Sequence, residues 1–260
     1  MRKIYCLWCI ILVFTVQAQE PNRIDLSGTW RFQLDPIGFG KTPGSELYLE
    51  RLVETIVLPG STDQGGKGIK NNARYVDRLS RKFEYQGAAW YQRELVIPSS
   101  WIGKDIFLYL ERCHWETTVY IDGRLAGTDE RLSTPNLFDV TRFMSAGVHT
   151  VTLCVDNRLK YPMDQWTHGI SEYTQTNWNG IVGNITLLAK EKTHIRRVNV
   201  YPDIERKQAR VRLQFSAMDN SKQGKLDLMI REKSGKVVVS RSMKVDSLSV
   251  CQGVEAVLPM

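Results

Sequence analysis

The chain has 260 residues, of which 42% are hydrophobic and 24% are charged. This is ordinary globular usage, and the length is enough for one or two domains with real cores. The formal net charge is +7, but the basic residues are scattered along the chain, which argues against a nucleic-acid-binding surface.

The N-terminus has the layout of a secretory signal peptide. Met1–Lys3 is a short basic start, Ile4–Val16 is an apolar run, and Val16–Ala18 offers small residues at the cleavage positions. The apolar run is too short to cross a bilayer comfortably, so we expect cleavage after Ala18 and no membrane span afterwards. The sequence therefore predicts an exported protein, periplasmic or extracellular.

Three cysteines follow the predicted cleavage point, namely Cys113, Cys154 and Cys251. An odd number at wide spacing is not a disulfide framework, and no Cys/His cluster indicates a metal site, so we expect no metal and no cofactor. A Cys113–Cys154 bridge is left open. The alternation of apolar residues in both strands predicts that the two thiols point away from the main core, which favours unpaired cysteines.

Short alternating runs between turn signals predict antiparallel β-structure over most of the chain. In the first two thirds these runs are Thr29–Leu34, Tyr91–Ile97, Ile106–Leu110, Thr118–Ile121, Thr150–Val155 and Ile185–Ala189. Asp122-Gly123 is a hairpin turn signal. No segment of a dozen residues has helical periodicity, so the fold class predicted is an all-β sandwich.

A second, smaller β domain is predicted after Lys190. Alternation resumes at Ala209–Phe215, Leu226–Ile230 and Val237–Val239. The seventy residues from 191 to 260 fall short of the roughly 100 of a full immunoglobulin-like sandwich, and we expect no closing strand before Met260. The predicted organisation is therefore a signal peptide at 1–18, a sandwich at 19–190 and an incomplete sandwich at 191–260, as in a fragment or a truncated product.

Seven stretches of the chain follow one another in the order of a known family. They are LSGTWRFQLD (Leu26–Asp35), VLPGSTDQGGKG (Val57–Gly68), AAWYQRELVIPSSWIGKDIFLYLER (Ala88–Arg112), WETTVYIDGRLAG (Trp115–Gly127), STPNLFDVT (Ser133–Thr141), VDN (Val155–Asn157) and TQTNWNGIVGNITL (Thr174–Leu187). Together they resemble the N-terminal region of glycoside hydrolase family 2, the group of β-galactosidases, β-glucuronidases and β-mannosidases. The resemblance implies a galactose-binding-like jelly roll, an immunoglobulin-like sandwich and then a catalytic (β/α)8 barrel.

The resemblance assigns catalysis to the barrel and none to this chain. Retaining hydrolysis of an O-glycosyl bond needs two carboxyl groups about 5–5.5 Å apart. In the family the acid/base Glu follows an Asn, and this chain has no Asn-Glu dipeptide. We therefore expect the non-catalytic carbohydrate-binding portion of a β-galactosidase-like enzyme, with a terminal β-linked sugar as its partner. The alternatives left open are a freestanding carbohydrate-binding module and a structural sandwich without sugar contacts.

The segment TQTNWNG supplies the first candidate sugar contacts. Asn and Gln side chains present both a donor and an acceptor, and Gln175, Asn177 and Asn179 surround Trp178. The resemblance places this loop near the barrel mouth. The structural alternative, in which Asn179-Gly180 is a tight turn with Trp178 packed beneath it, stays equally open. For Trp178 alone the core is favoured over a stacking platform.

Asn71 and Asn72 are the second candidate pair. They follow the glycine-rich loop at 65–68, which lacks the GK[ST] ending of a phosphate-binding loop. The resemblance places this loop towards the substrate pocket, and the alternative is a solvated loop. His168 is interpreted as solvated or structural. Assembly into oligomers is common in the family and is left open here.

Overall fold

A computed structural model describes residues 22–168, 170–216, 223–247 and 252–259. The signal-peptide prediction lies outside these residues. Within them the chain is built from β-strands, with short 3-10 turns at Phe39–Lys41, Ser99–Trp101 and Thr141–Phe143. No helix in the described ranges is long and apolar enough to cross a membrane.

The first sandwich consists of two antiparallel sheets. The five-stranded sheet has the order β1 (Arg23–Asp25), β13 (Gly180–Lys190), β8 (Asp105–His114) and β11 (Asn136–Asp139), and β4 (Gly60–Ser61) also pairs with β13. The six-stranded sheet has the order β10 (Arg124–Asp129), β9 (Glu116–Ile121), β12 (Gly147–Asp156), β7 (Ala88–Ile97), β2 (Gly28–Asp35) and β3 (Glu54–Leu58). A separate hairpin is formed by β5 (Ile69–Lys70) and β6 (Phe83–Glu84).

The main core lies between these two sheets, and the alternation in the sequence produces it. Ile106, Leu108 and Leu110 all point inward from β8. Across the pairing, Leu108 is opposite Leu187 and Leu110 is opposite Ile185, so apolar cross-strand pairs fill one face. The all-β sandwich predicted from the sequence is confirmed.

A smaller apolar cluster covers the outer face of the six-stranded sheet. Trp90, Tyr120 and Cys154 point outward from their strands and are covered by Leu47 and Leu52 from the loop after β2. This cover explains why β7 begins with residues that are buried on both faces. The loop therefore extends the buried volume beyond the space between the sheets.

Cys113 and Cys154 are both free, as the alternation favoured. Cys154 lies in the outer cluster, but the expectation that Cys113 also points away from the main core is wrong. The burial pattern of β8 changes phase after Leu110, opposite an irregularity in β13 between Val182 and Ile185. This irregularity shifts the register and turns Cys113 inward. Burial raises the pKa of each thiol to about 12, so both are poor nucleophiles.

The Asp122-Gly123 turn is confirmed. It joins β9 to β10, and Ile121 pairs with Arg124 across it. Both turn residues have positive φ, 49° for Asp122 and 73° for Gly123, which is the requirement of a two-residue type I′ hairpin.

The second sandwich contains five described strands. β14 (Ile195–Asp203), β15 (Gln208–Phe215) and β18 (Val254–Pro259) form one sheet, and β16 (Gly224–Arg231) pairs with β17 (Val237–Val245). The expectation of no closing strand is wrong, because β18 pairs with β15 along its whole length. Ala256 and Leu258 alternate inward from β18, and this pattern is visible in the sequence. The apolar core there is small and is centred on Val211 and Leu213.

Candidate functional site

Two loops meet at one end of the first sandwich. One belongs to the hairpin of β5 and β6, and we call Ile69–Gln86 the cationic hairpin because it contains five Lys or Arg and two Asp or Glu. The other joins β12 to β13 and ends in Gln175–Asn179, which we call the amide segment. The site is built where these two segments face each other.

Arg81 holds the two loops together. Its Nη1 donates to the backbone oxygen of Asn177 at 2.8 Å, and its Nη2 donates to Oε1 of Glu172 at 2.5 Å. The side chain of Arg81 is only 9% exposed, so this ion pair is partly shielded from water. The cationic hairpin is thereby fixed against the loop that carries the amide segment.

A cleft of about 670 Å³ opens between the loops. Its lining combines aromatic, charged and amide side chains, including Tyr75, Arg78, Arg81, Glu84, Gln86 and Glu172. A smaller cleft of about 250 Å³ continues from it and shares Gln86 and Glu172. This volume and mixture of groups are typical of a small-molecule site.

Asn177, a predicted sugar contact, is buried outside the lining of the larger cleft and contributes to the lining of the smaller one. Its Nδ2 donates to the backbone oxygen of Asn157 at 2.8 Å, and its Oδ1 is 2.9 Å from Nε2 of His114. The amide of Asn177 is therefore held by the protein at both ends. The arrangement positions the loop, as the structural alternative supposed.

Asn179 is held in the same way. Its Nδ2 donates to the backbone oxygens of Gly87 and Val155, each at 3.0 Å, and its Oδ1 accepts from the Tyr91 hydroxyl at 3.1 Å. The tight turn at Asn179-Gly180, which was part of the structural alternative, is not formed. Gly180 is the first residue of β13, and a Cβ there would stand 2.4 Å from the backbone oxygen of Gly60.

His114 is the titratable group of this buried network. Desolvation lowers its pKa to about 4, although the hydrogen bond to Asn177 acts in the opposite direction. The ring is therefore neutral at pH 7, with Nε2–H donating to Oδ1 of Asn177. Trp178 stacks on it with ring centroids 4.8 Å apart and is itself half-buried, so this indole supports the histidine.

The remaining predicted contacts lie at the surface. Gln175 and Asn72 are exposed. Asn71 is half-buried at the base of the cationic hairpin, where its Nδ2 donates to Glu84 and its Oδ1 accepts from the backbone N–H of Ala73 at 2.8 Å. Only Gln175 and Asn72 among the six candidates are therefore exposed. None of the six candidates contributes to the lining of the larger cleft.

Sequence reasoning missed the side chains that do line this cleft. Tyr75, Arg78 and Gln86 stand in a stretch without a recognisable motif. A local excess of positive charge beside aromatic residues was the available signal, and it was diluted in the scattered charge of the whole chain. In the described part of the chain, no three His, Cys, Asp or Glu side chains group as a metal site requires.

Comparisons with known proteins agree with this architecture. The family described as glycosyl hydrolases family 2, sugar binding domain, matches residues 24–191. A β-glucuronidase of Paenibacillus borealis is 28% identical over 139 residues, which are 53% of this chain and 21% of that protein. The β-glucuronidase of Canis lupus familiaris is 22% identical over 257 residues, covering 87% of this chain and 37% of that protein.

Solved structures show the same fold. The β-glucuronidase from Ruminococcus gnavus in complex with D-glucaro-d-lactam has a TM-score of 0.63 and 20% identity, covering 93% of this chain and 40% of that chain. A β-glucuronidase from an uncultured Clostridium species has a TM-score of 0.64 and 18% identity. This chain thus spans about two fifths or less of the length of the relatives named here. The family match covers more than half of the chain, and the protein belongs to glycoside hydrolase family 2, with the family's sugar-binding domain at residues 24–191.

Proposed function

We propose that the cleft between the cationic hairpin and the amide segment is where this domain contacts carbohydrate. The observation that carries the proposal is a cleft of about 670 Å³ with accessible aromatic and amide groups, inside the region that the sugar-binding family matches. The chain acts as the non-catalytic carbohydrate-binding portion of a family 2 glycoside hydrolase.

The lining provides the two kinds of contact that a sugar needs. Tyr75 is 40% exposed and offers an apolar ring to the C–H face of a pyranose. Gln86 is exposed in both clefts and offers a donor and an acceptor to hydroxyl groups. Among the residues predicted from the sequence, Asn72 and Gln175 are the exposed ones in the two segments that border the cleft, and we assign them to its rim. Asn71, Asn177, Asn179 and Trp178 then act by holding the loops in place.

The parent reaction that we propose is hydrolysis of a terminal β-linked glycoside. The sequence favoured a β-galactosidase-like enzyme, whereas the relatives named above are β-glucuronidases, which supports a β-glucuronide as the substrate. The acid/base and nucleophile of a retaining mechanism would reside in a catalytic barrel outside this chain. Export of the protein remains part of this proposal.

The test is saccharide binding by the full chain, measured by titration calorimetry against methyl β-glycosides. Tyr75→Ala should abolish measurable binding. Tyr161→Ala is the matched control, because Tyr161 is equally accessible but donates to Glu130 outside the cleft. Absence of binding to every glycoside, or full binding by Tyr75→Ala, would contradict the proposal.

We also expect no hydrolysis of nitrophenyl glycosides by the pure chain, and robust turnover would overturn its non-catalytic role.

A second candidate is a structural module that packs against another folded domain. Apolar side chains in the cleft lining favour it, since Ile69 is 79% exposed and Leu79 is 59% exposed. Exposed apolar groups in one area are typical of an interaction surface. This candidate predicts no saccharide binding by the isolated chain, so the same titrations separate it from the first.

A further inference from the structure

We infer that Arg78 makes the cleft selective for a saccharide that carries a carboxylate, such as a uronic acid unit. This inference rests on the proposed function and names the ligand class of the same site. It depends on three features of Arg78, which are its rigid support, its incomplete pairing and its position in the cleft.

Two aromatic rings fix the guanidinium of Arg78. Its Cζ lies 4.4 Å from the ring centre of Tyr75 and 5.0 Å from that of Tyr173. The rings belong to the two different loops that border the cleft. These two cation–π contacts restrict the rotation of the side chain, so less conformational entropy is lost when the guanidinium binds a planar anion.

The charge of Arg78 is only weakly compensated. The carboxylate of Asp77 is its ion-pair partner, but the distance from Nε to Oδ1 is 3.6 Å, beyond hydrogen-bond range, and Asp77 is 67% exposed. The Nε–H of Arg78 is buried and has no hydrogen-bond acceptor within the described residues, while the side chain as a whole is 24% exposed. Arg81, in contrast, is engaged by Glu172 and by a backbone oxygen. Of the two arginines in the cleft, Arg78 is therefore the one available to a ligand.

The net positive charge of the cationic hairpin favours an anion, although the cleft lining itself holds two arginines and two glutamates. The cationic hairpin carries five basic against two acidic residues, a local excess of three positive charges. Of the two carboxylates in the lining, Glu172 is neutralised by Arg81 at 2.5 Å. Glu84 accepts from the neutral amide of Asn71 and opposes the binding of an anion. Removing the charge of Glu84 should therefore strengthen the binding of an acidic ligand.

The chemistry of a uronic acid matches these groups. A carboxylate can accept two parallel N–H bonds from one guanidinium, and such charge-assisted pairs are about twice as strong as neutral hydrogen bonds. The hydroxyl groups of the same sugar can bond to the exposed amide of Gln86. A neutral pyranose could bond to Gln86 through its hydroxyl groups, but it has no carboxylate to pair with Arg78.

The test compares methyl β-glucuronide with methyl β-glucoside, which differ at C6, in titrations of the full chain at low salt. The glucuronide should bind at least about tenfold more tightly. Arg78→Gln should remove about tenfold of that affinity while the glucoside changes less than about twofold. Arg74→Gln is the matched control, because it removes one charge from the same hairpin at an exposed position outside the cleft lining, and it should change either affinity by less than about twofold. Glu84→Gln should raise the affinity for the glucuronide.

The outcomes separate this inference from the proposed function. Equal binding of the two glycosides would overturn the inference and leave carbohydrate binding intact. If Arg78→Gln lowered the affinity for both glycosides equally, Arg78 would only support the loops. That result would also overturn the inference. If acetate bound as tightly as the glucuronide, a carboxylate alone would suffice for binding. That result would contradict a site specific for a saccharide. Absence of binding by both glycosides would refute the inference and the proposed function together.

Discussion

The amide segment and the cationic hairpin lie on opposite sides of the same cleft and use their polar residues differently. Asn177 and Asn179 in the amide segment are 2% and 0% exposed, and their side chains bond to the protein. In the cationic hairpin, Tyr75 and Arg78 remain accessible and line the cleft. A segment rich in amide side chains can therefore serve the fold, while a segment without a motif provides most of the cleft lining.

Replacing Asn179 should give the largest effect on stability. Asn179→Ala removes the side-chain hydrogen bonds to the backbone oxygens of Gly87 and Val155 and to the Tyr91 hydroxyl in a buried site, where Gly87 keeps only a long bond from the Asn157 N–H at 3.5 Å. We expect a loss of about 3 kcal/mol or more in the free energy of unfolding, measured by urea denaturation. Asn72→Ala, at an exposed position, should stay within about 0.5 kcal/mol. Similar losses of unfolding free energy in the two variants would contradict the distinction between buried and exposed amide side chains.

The pH dependence of stability should depend on His114. Its pKa is lowered from the ordinary histidine value of 6.5 to about 4, so below pH 6.5 the unfolded chain binds a proton that the folded chain does not. The contribution of His114 to the free energy of unfolding is fully present above pH 6.5. It falls by about 3 kcal/mol as the pH is lowered to 4.

His114→Gln should flatten this acid slope in urea denaturation measured between pH 4 and pH 7. His168→Gln is the matched control, because His168 is exposed and its replacement should leave the slope unchanged. An unchanged slope in His114→Gln would show that the histidine is not desolvated in the folded chain.

Loss of the contact between the loops should have an intermediate effect. Arg81→Met removes the ion pair with Glu172 and the bond to the backbone oxygen of Asn177. Because Glu172 is 46% exposed, we expect the free energy of unfolding to fall by only about 1–2 kcal/mol. Both loops should also be cleaved faster by proteases. Arg74→Met should be cleaved at the rate of the unaltered chain. Cleavage of Arg81→Met at that same rate would contradict the role of Arg81 in joining the loops.

The smallest expected effect belongs to Gln175. Its side chain is exposed, so Gln175→Ala should leave the unfolding free energy within about 0.5 kcal/mol. If Gln175 contributes one hydrogen bond at the rim, saccharide affinity should fall about two- to tenfold in calorimetry. A large loss of stability would place Gln175 with the buried amides and weaken the distinction between the two segments.

Much of the fold could be predicted because its signals are local. Alternation in Ile106–Leu110 and the Asp122-Gly123 turn depend on neighbours in sequence, and both are confirmed. The inward position of Cys113 could not be predicted in this way, since it depends on a register change against β13. The strand Val254–Pro259 was overlooked although it alternates, because it was judged against the length of a complete sandwich.

The site was harder to predict because ligand contacts are defined across distant segments. The sequence places Asn177 among polar neighbours, but its partners Asn157 and His114 are 20 and 63 residues away. Likewise, Arg78 gains its significance from Tyr173 on another loop. Only the folded chain shows which amides are already paired and which cation still has room for a ligand.

The most direct test of this account is hydrogen–deuterium exchange of the full chain with and without a saturating saccharide. The account predicts that protection is gained mainly in peptides covering the cationic hairpin, while peptides covering Asn177 and Asn179, whose side chains are already bonded to the protein, change little. Protection confined to the second sandwich, or to the first sandwich away from this cleft, would contradict it.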